Sequence, residues 1–245
     1  MNYTKVNELY QQLKSLRPLN QTELQRLRDE FIIENTYNSN AIEGNTLTLR
    51  ETALILQEGI TIAEKPLKDH LEAIGYKDAF TYIIALTERN TQLVETIIKN
   101  IHSLVLMNDV LNKGVYRSVP VTIVGAVHKP PQPYLIIPQM EQLIIDYTEA
   151  LQTKHIIESV AEFHLRFEGI HPFIDGNGRT GRLIMNFELM KAGLLPINIK
   201  YSDRIKYYDC FDDYYTTGDI SMLCGLIEQY EIYELEKYIE IIRGK

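Results

Sequence analysis

The chain has 245 residues, is 45% hydrophobic and 24% charged, and carries a net charge of −8 at pH 7. Those fractions are ordinary for a soluble globular protein, and the length suits one large domain or a core with an extension. The acidic balance argues against a nucleic-acid binder, which would show a basic face, and no run approaches the roughly 20 apolar residues of a membrane span.

Helical periodicity dominates the chain order. Residues 6–16 form a short amphipathic pattern closed by Pro18. Residues 22–43 predict a longer helix with Leu24, Leu27, Phe31 and Ile32 as its apolar stripe. Thr48 and Glu51 have capping-box spacing, so a new helix begins there and stops at Gly59. Two further helices are expected over 67–86 and 93–106, the first interrupted but not broken by Gly75. Residues 119–127 then alternate and are β-branched, Pro130 to Pro133 reads as a stiff turn, and residues 134–137 as a short extended run. That pattern predicts one irregular β-hairpin over 119–137. A lone hairpin is marginal in isolation, which points to a task beyond connecting helices. Helices resume over 138–151 and 156–168, followed by a motif helix from Arg179 to Lys191 that Gly193 and Pro196 terminate. Residues 203–215 and 220–242 complete an all-α body.

The stretch from His171 to Arg182 reads His-Pro-Phe-Ile-Asp-Gly-Asn-Gly-Arg-Thr-Gly-Arg. Its turn-forming centre opens onto a helix N-terminus, where backbone N–H groups form a concave nest for anions. Arg179 and Arg182, three apart, are expected to project together from the first helical turn beside that nest. Two guanidiniums over a phosphate cradle suit a ligand with several phosphates. Asp175 offers the hard oxygen that Mg²⁺ uses next to substrate phosphates, and His171, neutral near pH 7, can accept a proton. This combination points to phosphoryl or nucleotidyl transfer. His155 and His164 have no zinc-type spacing and are expected to be surface or core residues. Cys210 and Cys224 make no metal-type pair and read as free thiols of a reducing compartment. With no apolar core of a secretory signal at the N-terminus, a cytoplasmic location is expected.

The run resembles the Fic family signature, His-x-Phe-x-(Asp/Glu)-Gly-Asn-Gly-Arg-x-x-Arg, at every fixed position: His171, Phe173, Asp175, Gly176, Asn177, Gly178, Arg179 and Arg182. The resemblance extends upstream through Gly114 to Arg117 and residues 121–138, and downstream to about Leu226. It implies the Fic fold, a helical bundle with one β-hairpin flap over the active site. Most such proteins move AMP from ATP to a hydroxyl of a target protein and release pyrophosphate. The family implies that His171 deprotonates the hydroxyl, Asp175 holds Mg²⁺, and residues Gly176 to Arg179 cradle the phosphates. Thr180 and Gly181 belong to the same nucleotide-binding run, and Arg182 grips the terminal phosphate. The hairpin is expected to pair with the target backbone as an added strand and to touch the nucleotide at Val124, Gly125, Ala126 and Val127. Tyr207 and Tyr208 resemble a tyrosine pair that flanks the adenine, with Tyr215 as a further base contact.

Ser39-Asn-Ala-Ile-Glu43-Gly44 resembles the family's inhibitory pattern, (Ser/Thr)-x-x-x-Glu-(Gly/Asn), in the subclass that carries its inhibitory helix at the N-terminal side. Ser39 and Glu43 at i and i+4 share a helix face. A carboxylate reaching Arg182 would occupy the place of the terminal phosphate. Glu43 could equally end an ordinary helix before the C′ glycine Gly44. The expected division is residues 1–60 as an extension carrying the inhibitory helix and 61–245 as the catalytic domain, with its core at about 95–230. The reading is a protein adenylyltransferase acting on a Ser, Thr or Tyr hydroxyl of a docked protein, or on itself. It requires ATP and Mg²⁺ and involves no nucleic acid and no membrane. The alternatives are hydrolysis of AMP from a modified protein and a nucleotide-binding interaction module without turnover.

Overall fold

The computed structural model describes residues 2–123 and 125–244. Ten α-helices form along it: α1 Thr4–Ser15, α2 Gln21–Ile42, α3 Leu49–Glu58, α4 Leu67–Glu88, α5 Glu95–Val105, α6 Ile136–Thr153, α7 Ile156–Ile170, α8 Asn177–Lys191, α9 Arg204–Thr217 and α10 Ser221–Arg243. Local chemistry sets several ends. Asn20 and Glu23 make a reciprocal capping box at the start of α2, and Thr48 and Glu51 make the one expected at α3. Each cap is worth about 1 kcal/mol. Gly59 closes α3 at φ +67°, where an L side chain would be strained. Gly75 lies inside an unbroken α4 because the backbone of α5 comes close there: a Cβ would run into the Leu104 carbonyl.

Helix α8 is the centre of the bundle. Leu183, Ile184, Met185, Phe187 and Leu189 are all buried, as are the polar Asn177, Thr180 and Asn186. A helix buried on every side needs neighbours on every side, and α8 packs against α2, α4, α5 and α7. Helix α2 lies against this body with an unusual inner face. Its apolar stripe buries Leu27 and Phe31, but its last two turns bury Asn35, Thr36, Asn38, Ser39 and Asn40. These amides bond the body directly: Asn35 Nδ2 donates to Ile197 O (3.1 Å), Tyr76 Oη to Asn35 Oδ1 (2.7 Å) and Tyr201 N to Asn38 Oδ1 (2.9 Å). Buried polar groups are mostly bonded; Asn35 and Asn38 dock α2 by directional contacts, while Thr36 Oγ1 and Asn40 Oδ1 are buried without a hydrogen-bond partner.

The expected β-hairpin over 119–137 is replaced by other structure. No strand occurs among the described residues. Residues 118–123 and 125–132 run without regular structure, Pro133–Leu135 is a 3₁₀ turn, and α6 already begins at Ile136. Pro120, Pro130, Pro131 and Pro133 have no N–H to offer a ladder, so the alternating pattern does not pair. The Arg117 side chain holds the loop instead, donating to Val119 O (2.9 Å) at one end and Pro131 O (2.7 Å) at the other. The motif helix also starts earlier than Arg179, at Asn177. Among the described residues no helix is long and apolar enough to cross a membrane. Cys210 and Cys224 are buried free thiols.

Candidate active site

The motif loop between α7 and α8 is fixed from three directions. His171 ends α7 at φ +48°, a left-handed conformation that costs a non-glycine residue about 1–3 kcal/mol and persists only where its surroundings impose it. They do so here. His171 N donates to Phe167 O (3.0 Å), Arg117 Nε donates to His171 O (2.8 Å), and Arg117 N donates to Pro172 O (2.9 Å). Further along, Gly176 takes φ +78°. His102, fully buried in α5, receives a hydrogen bond from Gly114 N at Nδ1 (2.8 Å). Its Nε2–H therefore points to Asp175 O (2.9 Å), a tautomer inferred from these partners. Burial drives the His102 pKa down to about 4, so the ring stays neutral, and it stacks on Phe173 at 3.6 Å. Asn177 closes the loop by bonding Phe173 N and O, each at 2.9 Å.

The two motif arginines part company. Arg179 is 1% exposed and pairs with Glu72 of α4 (3.0 Å) and Asp175 (3.2 Å), so it does not stand with Arg182 over the nest. Arg182 points to the other side and meets the end of α2. Its Nε donates to Ser39 Oγ (2.9 Å), and its Nη2 donates to Ser39 O (2.9 Å) and Glu43 Oε1 (2.7 Å). Burial alone would lower the Arg182 pKa, but Glu43, Tyr207 and Tyr76 outweigh it and hold the group charged. Glu43 is also the C-cap of α2, and Gly44 follows at φ +90°. The helix ends where it does and still delivers a carboxylate.

A cavity of about 380 Å³ opens beside this pair, within the range of small-ligand sites. Glu168, His171, Gly178 and Arg182 line one side, Glu43 another, and Tyr207, Tyr208, Phe211, Asp212 and Tyr215 of α9 a third. The loop supplies Ile123, Gly125, Ala126 and His128. A side chain at Gly178 would strike the Glu43 carboxylate, so the glycine leaves the space that Glu43 fills. Tyr208 Oη donates to Ile42 O (3.0 Å), tying α9 to the end of α2, and Tyr215 stacks on His128 at 3.9 Å. Of the other residues singled out in the sequence, Ser39 sits behind Arg182. Asp175, Gly176, Asn177, Arg179, Thr180, Gly181 and Val127 do not line the cavity, and Val124 lies outside the described residues. His164 is buried against Tyr207 Oη (2.7 Å), and His155 caps α7 and stacks on Tyr3.

Glu168, His128, Phe211, Asp212, His102 and Arg117 were not apparent as site residues in the sequence. Each looks like an ordinary helix or loop position until the fold brings it to the motif.

Burial pushes the His171 pKa below its usual value, leaving the ring neutral and able to take a proton. Asp175 is half exposed; its Oδ1 accepts from Gly176 N (2.6 Å) and Arg179 Nη2 (3.2 Å). Among the described residues no three acidic, histidine or cysteine side chains gather as a metal cage. One exposed carboxylate fits Mg²⁺, which keeps several waters and completes its shell from substrate phosphates.

Gly178 from the first turn of α8, a neutral base and a guanidinium share one cavity, a set of groups with the chemistry to receive a phosphorylated ligand. The sequence comparisons agree with that class. Residues 92–189 match the profile of the Fic/DOC family. The chain is 36% identical over 211 residues to Protein adenylyltransferase Fic of Nematostella vectensis, covering 84% of this chain and 48% of that protein. It is 34% identical over 220 residues to the protein of the same name from Drosophila melanogaster, covering 88% and 44%. A Fic domain containing signaling protein from Bacteroides thetaiotaomicron superposes with a TM-score of 0.92 at 29% identity over 99% of both chains. Fic-1 (aa134–508) from C. elegans does so at 0.87 and 28% identity, over 99% of this chain and 72% of that one. The chain belongs to the Fic/DOC family. It spans about half the length of the curated relatives it matches.

Proposed function

We propose that this chain is a protein adenylyltransferase that moves AMP from ATP to a Ser, Thr or Tyr hydroxyl of a protein target, releases pyrophosphate, and is held in check by Glu43. The observation that carries this reading is the 2.7 Å pair between Glu43 Oε1 and Arg182 Nη2, in a cavity shared with His171. His171, kept neutral by burial, takes the proton of the attacking hydroxyl. The N–H groups that open α8 receive phosphate oxygens, and Arg182 receives the terminal one once Glu43 leaves it. Catalysis then rests on alignment and charge neutralisation. Mg²⁺ bound at Asp175 would neutralise charge between the phosphates. The adenine lies against Tyr207, Tyr208 and Tyr215 and under Gly125 and Ala126.

The remaining proposals follow from the same placement. Residues 1–60 act as the regulatory extension and 61–245 as the catalytic domain, with its core at about 95–230. The division is supported by Ser39 and Glu43 coming from α2 while His171 and Arg182 come from α7 and α8. The loop over 119–132, tied at both ends by Arg117 but unpaired as a strand, receives the target backbone or a segment of a second copy in self-modification. A cytosolic location accompanies this reading, supported by the two buried free thiols.

One observation favours a second reaction at the same site. Glu43 is a third exposed and lines the cavity with His171, so its carboxylate can also orient a water against an AMP–protein bond. Incubation with ATP labelled at the α- or the γ-phosphate tests both readings. Transfer predicts α-label retained on protein and γ-label released. Retained γ-label, or nucleotide binding without either label, would contradict it. Release of AMP from a premodified protein would give first place to hydrolysis.

A further inference from the structure

The cavity holds a carboxyl group that the proposed reaction leaves without a task. Glu168 stands in the last turn of α7, three residues before His171, and lines the cavity. Its side chain is 13% exposed, and Oε1 is buried without a hydrogen-bond partner. A buried orphan of this kind calls for a reason. The neighbouring helix makes room for it, since a Cβ at Gly181 would lie 2.6 Å from Glu168 Oε1. Two oxygens of this one residue lie near one ring nitrogen. His171 Nδ1 lies 3.4 Å from the Glu168 carbonyl oxygen and 4.0 Å from its Oε2.

A neutral imidazole carries one N–H and one lone pair, and the partner of the first decides where the second points. With Nδ1 turned back onto the end of α7, Nε2 is the nitrogen left for the cavity. The carbonyl contact is a long hydrogen bond and Oε2 at 4.0 Å is beyond one, so the Glu168 side chain must turn slightly to bond the ring. We infer that Glu168 is a positioning residue for His171, whose side chain supplies the second acceptor that keeps the proton on Nδ1 and the lone pair on Nε2. This inference rests on the reading of His171 as the base.

The surroundings of Glu168 fit that task. Burial first, and Glu43 of α2 next, raise its pKa to about 8 against the opposing pull of Arg182 from α8. Tyr207 and Tyr215 of α9 feel its charge, and His164 lies one turn back on α7. At pH 7 the group is mostly the neutral acid. It accepts through its C=O without adding a negative charge beside incoming phosphates. An amide of the same shape offers the same acceptor, whereas a methionine of similar length offers only a weak one.

The test compares Glu168→Gln with Glu168→Met, each in the parent and in the Glu43→Gly form. Nitrogen-15 NMR of the histidine rings reads the His171 tautomer without turnover, and far-UV circular dichroism confirms folding. Nδ1–H is expected in the parent and in Glu168→Gln, with a shift toward Nε2–H in Glu168→Met. In the Glu43→Gly form, Glu168→Met should lose on the order of 10²-fold in kcat, as a misplaced catalytic group does, with KM for ATP little changed. Glu168→Gln should recover most of that loss. An unchanged tautomer and kcat in Glu168→Met, or an equal loss in Glu168→Gln, would overturn the inference. If the tautomer moves as expected but no form transfers AMP, the positioning stands and the proposed function fails.

Discussion

Arg179 and Arg182 stand three residues apart on α8 yet meet different carboxylates, Glu72 of α4 and Glu43 at the end of α2. The turn residues and the two guanidiniums were legible because a run of neighbouring residues specifies them, while α8 begins two residues before the expected Arg179. The divergence of the guanidiniums was not legible, because Glu72 and Glu43 reach them from distant parts of the chain. Arg179 is a buried ion pair, so Arg179→Ala should act mainly on stability. It would leave Glu72 with only Lys68 at 3.5 Å and the Asn45 Nδ2 bond at 3.0 Å, so the loss should fall below the about 3–5 kcal/mol of a fully uncompensated buried charge. A denaturant titration checks this, and an unchanged midpoint would show that the pair carries little. His171 gives a prediction in pH. Burial lowers its pKa, so the base form persists below the usual histidine range of about 6.5. The acid limb of kcat/KM for AMP transfer, which reports the free enzyme, should therefore have its midpoint below that value. A midpoint above it would mean that another group governs the limb.

At the scale of elements, the helices were legible wherever a cap or a 3.6-residue stripe marked them. The capping box at Thr48 and Glu51 and the extent of α4 across Gly75 are examples. The segment over 119–137 was not, because β-branched alternation mimicked a strand whose prolines cannot pair. The polar inner face of α2 also gave no periodic mark, since Asn35 and Asn38 are held there by hydrogen bonds to the body and not by apolar packing. What holds the loop is Arg117, which bonds Val119 O, Pro131 O, Ile170 O and His171 O. Arg117→Ala should therefore loosen two segments together, the loop and the turn at His171. Hydrogen exchange would show faster amides over 118–132 and at the His171 turn, with α10 unaffected. Loop amides as protected as in the parent would assign the hold to other contacts.

The whole molecule is a helical body in which the end of α2 lies across Arg182. Its stability should carry a signature of another buried acid. Glu231 of α10 is fully buried, and burial raises its pKa to about 8. Its folded form keeps a proton that the unfolded chain releases near pH 4.5, so its contribution to stability falls as pH rises between those values. Glu231→Gln keeps an acceptor for Leu195 N and removes that titration. Its melting temperature should gain on the parent between pH 5 and pH 8, by about 2 °C or more if 1 kcal/mol is recovered. A constant difference would mean that Glu231 is not protonated in the fold.

The most direct measurement concerns Glu43 itself. On the proposed reading Glu43 on Arg182 would displace a terminal phosphate, and a misplacement of about 1 Å at the reacting phosphorus costs on the order of 10²-fold in rate. Transfer of α-labelled AMP should rise sharply in Glu43→Gly, with a smaller change in ATP affinity, and the gain should vanish in Glu43→Gly with Arg182→Ala. Transfer in Glu43→Gly equal to or below that of the parent would contradict inhibition by Glu43.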